Sequence, residues 1–177
     1  MSRELFNTAG KRLYLTDSER KKFLAAADED ERQVRTLCYV LAHTGCRISE
    51  ALQLTGERVD FDAGAIVFES LKKRKRGVYR AVPIPPALLE MLAMVHGLKD
   101  HKRAARAKAP ALLWGFGRTT AWKKVLAVMK AAGVKGPQAT PKGLRHGFGV
   151  AAIQAGIPLN LLQRWLGHAQ LTTTALA

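Results

Sequence analysis

Positions 72–76 read Lys-Lys-Arg-Lys-Arg, and Arg80 follows closely behind. Ammonium and guanidinium groups donate hydrogen bonds and accept none. A tip carrying Lys73, Arg74, Lys75, Arg76 and Arg80 is therefore suited to gripping phosphate oxygens or entering a nucleic-acid groove. Further along, Lys142 and Arg145 stand three apart in a segment with helical spacing, which sends both side chains out of one face.

The charge of the whole chain points the same way. It carries 29 Lys and Arg against 14 Asp and Glu, a formal charge of +15 at pH 7. Neutralising phosphates releases their condensed counterions, so nucleic acid heads the list of expected partners. A membrane surface fits less well, because the basic residues do not decorate one long amphipathic helix. No apolar run approaches the length needed to cross a bilayer, and the first ten residues hold no secretory signal, so a cytoplasmic location is expected. Cys38 and Cys46 belong to no Cys/His cluster with metal-ligand spacing and read as buried or half-buried thiols.

The elements that must position these cations can be read from local signals. Thr16-Asp17-Ser18-Glu19 is a capping box ahead of Phe23, Leu24 and Ala27, which predicts a helix over 17–28. Val34, Leu37, Cys38, Leu41 and Ala42 recur at helical spacing up to Gly45, a residue suited to ending a helix in the left-handed conformation. A short helix over 48–54 and three strands over 58–61, 65–71 and 78–84 follow, the last two joined through the basic tip. Pro85-Pro86 opens a helix through Leu88, Leu89, Leu92 and Val95. A helix over 119–132 presents Trp122, Leu126 and Met129 on one face. Thr140-Pro141 caps another, with Leu144, Phe148, Ala151 and Ala152 as its buried stripe, and Pro158 opens a last one bearing Leu161, Leu162 and Trp165. The fold class expected is mainly α with a small antiparallel β-sheet (α+β), in one domain spanning 1–177.

Three segments carry a resemblance: Thr44-Gly45-Cys46-Arg47-Ile48-Ser49-Glu50, Pro141-Lys142-Gly143-Leu144-Arg145-His146 and Leu166-Gly167-His168-Ala169-Gln170-Leu171-Thr172-Thr173. In this order and spacing they resemble the catalytic domain of the tyrosine recombinase (phage integrase) family, from Leu15 onward. The resemblance implies a DNA strand-exchange fold and activity, as in recombinases of mobile genetic elements. It also implies a monomer that assembles on DNA as a tetramer in the intact family protein, and no cofactor or metal. Arg47 and Arg145 would be two planar forks on the scissile phosphate, where negative charge builds in the transition state. Glu50 would orient Arg47 or a neighbouring group. Lys142 stands where the family usually has histidine, and His168 matches the histidine that hydrogen-bonds the phosphate. The family's hairpin lysine, which protonates the leaving 5′ oxygen, has three candidates. Counting forward from Phe68 selects Lys72, counting back from Val82-Pro83 selects Lys75, Lys73 lies between, and Lys72 is favoured.

One departure from the family pattern decides the expected activity. The nucleophilic tyrosine should follow His168 by nine residues, and that position is Ala177. Tyr14, Tyr39 and Tyr79 are all far from it in sequence, so the chain is expected to bind DNA without cutting it. The family's N-terminal core-binding domain and C-terminal docking tail are also expected to be missing. Two origins fit: an engineered or truncated form ending at a mutated tyrosine, which the undecayed motifs favour, or a natural remnant. A degenerate integrase acting as a DNA-binding regulator is the alternative reading. A basic nucleic-acid-binding protein unrelated to recombination and a type IB topoisomerase stand further off.

Overall fold

A computed structural model describes residues 5–71, 76–99 and 110–167. Lys72, Lys73, Arg74, Lys75, His168 and Ala177 lie outside the described residues. Helix α1 (Asp17–Asp28) begins as its sequence dictates: Thr16 Oγ1 accepts from the Glu19 amide, and Glu19 Oε1 accepts from the Thr16 amide at 3.1 Å. Helix α2 (Arg32–Thr44) buries Val34, Leu37, Cys38, Val40, Leu41 and Ala42, more than one stripe, because α1 and two helices further along the chain, 86–96 and 141–154, all pack against it. It ends at Gly45, whose φ of 64° is left-handed. The four-residue α3 (Ile48–Ala51) follows at once.

Strands β1 (Val59–Asp60), β2 (Ala65–Glu69) and β3 (Tyr79–Pro83) form one antiparallel sheet in the order β1-β2-β3. Ala65 faces Pro83 and Glu69 faces Tyr79 across the β2–β3 pair. Helix α4 (Pro86–His96) is opened by the proline pair and closed by left-handed Gly97.

Helix α5 (Arg118–Ala131) corrects the face expected from sequence. Ala121, Val125, Val128 and Met129 are buried, whereas Trp122 is 43% exposed. Both sets have helical spacing, and packing on α1 selects the first. Helix α6 (Pro141–Gln154) starts with Thr140 Oγ1 accepting from the Gly143 amide at 3.1 Å. Its buried face is also smaller in residue size than expected: Gly143, Leu144, Gly147, Gly149 and Ala152 line it, with Phe148 and Ala151 half-buried. The glycines permit close approach of backbone, since a Cβ on Gly147 would stand 2.6 Å from the Leu15 carbonyl oxygen. Helix α7 (Leu159–Leu166) buries Leu162 and Leu166 in a small satellite cluster with Ala152, against which Phe148 and Trp165 pack. No helix among the described residues is long and apolar enough to cross a membrane.

Candidate functional site

The turn between α2 and α3 sets the first cation. Gly45 leaves α2 in a conformation that L side chains rarely adopt, and a Cβ there would stand 2.5 Å from Phe148 Cδ1. Arg47 then caps α3, its amide donating to Glu50 Oε1 at 2.9 Å. That bond holds the backbone while the side chain, 27% exposed, reaches outward with Nη1 3.6 Å from the same carboxylate oxygen. Cys46, immediately before it, is fully inside, and burial pushes its thiol up to about 12. The Cys38 thiol is raised to about 12 for the same reason. Both cysteines are therefore inert packing groups.

Arg145 comes from the second turn of α6 and reaches two other motifs. Its Nη1 donates to the Gly45 carbonyl at 2.7 Å and its Nη2 to the Leu166 carbonyl at 2.8 Å. One side chain thus ties the segment of Arg47 to the segment that leads into His168. Burial, then the nearby positive charge of Arg47, pushes the Arg145 guanidinium below its ordinary value, with Glu50 opposing and Arg80 adding to the fall. Three guanidinium groups stand around one carboxylate here, which leaves an excess of positive charge that an arriving anion would offset.

Lys142 is exposed in the first turn of α6, and Arg76 is exposed at the end of the basic tip. His146 is buried at 7% exposure, and burial followed by the charges of Lys142 and Arg145 lowers it to about 4. Among the described residues no group of three or more His, Cys, Asp or Glu is arranged to hold a metal ion.

Arg80 is a correction to the sequence reading. Grouped there with the phosphate-gripping tip, it is instead buried, its side chain 7% exposed. Nη1 donates to Glu50 Oε2 at 2.6 Å and to Ser70 Oγ at 3.3 Å, Nη2 donates to Glu50 Oε1 at 3.0 Å, and Nε donates to the Trp165 carbonyl at 2.7 Å. The same guanidinium lies over the Phe68 ring, 5.3 Å from its centroid. Strand parity carried the missed signal: Arg80 alternates in phase with Val82, the buried face of β3, while Tyr79, Ala81 and Pro83 face out. Glu50 is accordingly bound first to Arg80 and only second to Arg47. Burial by itself would raise the Glu50 carboxyl, but the Arg80 hydrogen bonds and charge, joined by the Arg47 amide, outweigh it and hold the group below its ordinary value.

A cleft of about 440 Å³ runs between β3 and α7, lined by residues that include Ser70, Tyr79, Arg80, Leu161 and Trp165. It contains neither Arg47 nor Arg145, and the guanidinium cluster, not this cleft, is the candidate centre.

Residues 13–176 match the Phage integrase family. The chain is 31% identical over 168 residues to tyrosine recombinase XerA of Pyrococcus furiosus, covering 90% of this chain and 54% of that protein. To tyrosine recombinase XerD of Mycobacterium tuberculosis it is 33% identical over 146 residues, covering 79% and 45%. It spans about half the length of these curated relatives. In structure it is similar to the XerA recombinase crystal structure (TM-score 0.77, 27% identity, 92% of this chain and 58% of that one). It is also similar to the catalytic domain of bacteriophage HP1 integrase (TM-score 0.64, 26% identity, 93% and 85%). A XerH site-specific recombinase bound to its difH substrate shares the fold (TM-score 0.77, 24% identity, 96% and 55%).

Proposed function

Because the chain belongs to the phage integrase family of tyrosine recombinases, we propose that it is a DNA-binding recombinase catalytic domain that seats a scissile phosphodiester on Arg47 and Arg145. The observation that carries this reading is the double donation of Arg145 to Gly45 and Leu166, which gathers all three motifs around one cation-rich point. Arg47 and Arg145 hold the non-bridging oxygens, where charge grows as phosphorus becomes pentacovalent. Lys142 adds a third donor from the face it shares with Arg145. His168 hydrogen-bonds the same phosphate, and a tip lysine, Lys72 by preference over Lys73 and Lys75, protonates the departing 5′ oxygen. Lys73, Arg74, Lys75 and Arg76 contact flanking phosphates of double-stranded DNA, and the intact assembly on that DNA is a tetramer.

With alanine at position 177 the chain binds and does not cleave. Restoring the nucleophile should restore the first step: the tyrosine oxygen gives up its proton to water and bonds to phosphorus, the bond from phosphorus to the 5′ oxygen breaks, and the lysine proton goes to that oxygen. The test uses a duplex selected by the chain from a random library, nicked to trap product. Ala177→Tyr should yield an adduct that survives denaturation, and Arg47→Ala or Arg145→Ala in that background should slow its formation by on the order of 10² to 10³. A selected duplex that binds tightly yet gives no adduct with Ala177→Tyr, or that gives one with alanine in place, would overturn the reading. Affinity that falls equally for any lysine or arginine removed would favour a general nucleic-acid-binding protein.

A further inference from the structure

We propose that Arg80 is a positioning residue that locks Ser70 and β3, the two ends of the β2–β3 hairpin, and the backbone of Trp165 onto Glu50, and that the general-acid role proposed for the hairpin lysine depends on this anchorage. The reading rests on the recombinase function above, but its structural half stands without it.

Four observations meet at this one side chain. Its two-pronged bond to Glu50 joins β3 to α3, the helix that Arg47 caps. Its Nε bond to the Trp165 carbonyl joins β3 to the last turn of α7. Its Nη1 reaches Ser70 Oγ at the end of β2, where the Ser70 amide donates to the Val78 carbonyl at 2.9 Å and begins the hairpin turn. Gly167 completes the enclosure, since a Cβ there would stand 2.9 Å from Arg80 Nη1. The guanidinium therefore fills a slot with three walls, two of which lead directly to residues with proposed roles on the phosphate.

A general acid helps only when its proton lies within hydrogen-bond reach of the leaving oxygen, so a hairpin free to shift by an ångström would lose that contribution while phosphate binding survived. Lysine cannot substitute for this fork. Its single ammonium can meet Glu50 but not the carboxylate, the Trp165 carbonyl and Ser70 in their separate directions.

The 177-residue chain is tested as Arg80→Met and Arg80→Lys. By hydrogen exchange both should expose the amide of Ser70, which donates to the Val78 carbonyl, together with those of Trp165–Gly167, while the central amides of α2 keep their protection. Arg80→Lys keeps a countercharge for Glu50 and carries the test if Arg80→Met fails to fold. In the Ala177→Tyr background, cleavage of the ordinary phosphodiester should fall by roughly 10², with duplex affinity within about threefold. A substrate whose 5′ bridging oxygen is replaced by sulfur needs no protonated leaving group, so on it the Arg80 variants should lose only the part that comes from the segment leading into His168, at least about tenfold less than on the oxygen substrate. Equal defects on the oxygen and sulfur substrates would overturn the positioning role, as would exchange that rises at the hairpin alone or at neither segment. Should Ala177→Tyr prove inactive with Arg80 intact, the functional reading falls, and the exchange result alone decides whether Arg80 locks the two segments.

Discussion

Arg145 Nη1 and the carbonyl oxygen of Gly45 meet at 2.7 Å although one hundred positions separate them. The bond joins a helix interior to the residue that terminates another helix, and Gly45 is two residues from Arg47. Placing one arginine therefore places the other.

Arg145→Lys should separate these two duties. Lysine keeps the charge but cannot donate in parallel to Gly45 and Leu166. Hydrogen bonds from a charged donor contribute about 1.5–3 kcal/mol, so the urea midpoint should fall by an equivalent amount at unchanged slope. DNA affinity should fall too, despite the conserved charge. An unchanged midpoint would mean that the carbonyl bonds are incidental.

Glu50→Ala leaves Arg80 in a buried slot without its carboxylate partner. Breaking a buried pair from one side costs about 3–5 kcal/mol. The double variant Glu50→Ala with Arg80→Met should lose less than the two single losses added together, because the unpaired charge is gone. Additivity within error in chemical denaturation would contradict the pairing.

Gly45→Ala tests the turn that Arg47 follows. Alanine must hold a φ of 64° and its Cβ must displace Phe148. The backbone cost of about 1–2 kcal/mol and an overpacking cost of about 1–3 kcal/mol act together. Trimming the obstacle with Phe148→Ala should recover only the packing part. Gly143→Ala should be worse tolerated than Gly45→Ala, since its Cβ would fall on the Gln138 carbonyl oxygen, which cannot rotate away as a side chain can.

Acid should destabilise the chain before its carboxylates titrate. Burial and the charge of Arg20 lower His43 to about 4; burial and the charges of Lys142 and Arg145 do the same to His146. Between the ordinary histidine value of 6.5 and about 4, the unfolded chain binds protons that the folded chain refuses. Stability therefore rises with pH across that window and is lost as pH falls through it. The Glu50 carboxyl, depressed in the folded state, adds a further loss only at lower pH, as it protonates. Melting temperatures of His43→Asn and His146→Asn, followed from pH 7 to pH 4, should each decline less steeply than the parent's. Parallel curves would show that neither histidine is held neutral by the fold.

Much of the frame was written locally. The capping box at Thr16 and Glu19, the helix stop at Gly45 and the proline-opened helices at Pro86 and Pro141 all follow from contacts within a few residues, where backbone geometry and side-chain type suffice. The three motifs were equally legible, and the family match over residues 13–176 agrees with them.

What sequence could not decide was which of two equivalent local patterns the rest of the molecule would use. In α5, Trp122 with Leu126 and Ala121 with Val125 repeat at the same period, and it is the helices packed against one side, α1 foremost, that bury the second pair. In β3, Arg80 belongs by composition to the basic tip and by alternation to the core, and Glu50, thirty positions away, tips it inward. Propensity and periodicity are near-neighbour properties of a chain. A charge chooses between solvent and interior only when the fold brings a partner whose opposite charge and directed acceptors offset its desolvation, and that partner is fixed by tertiary structure alone.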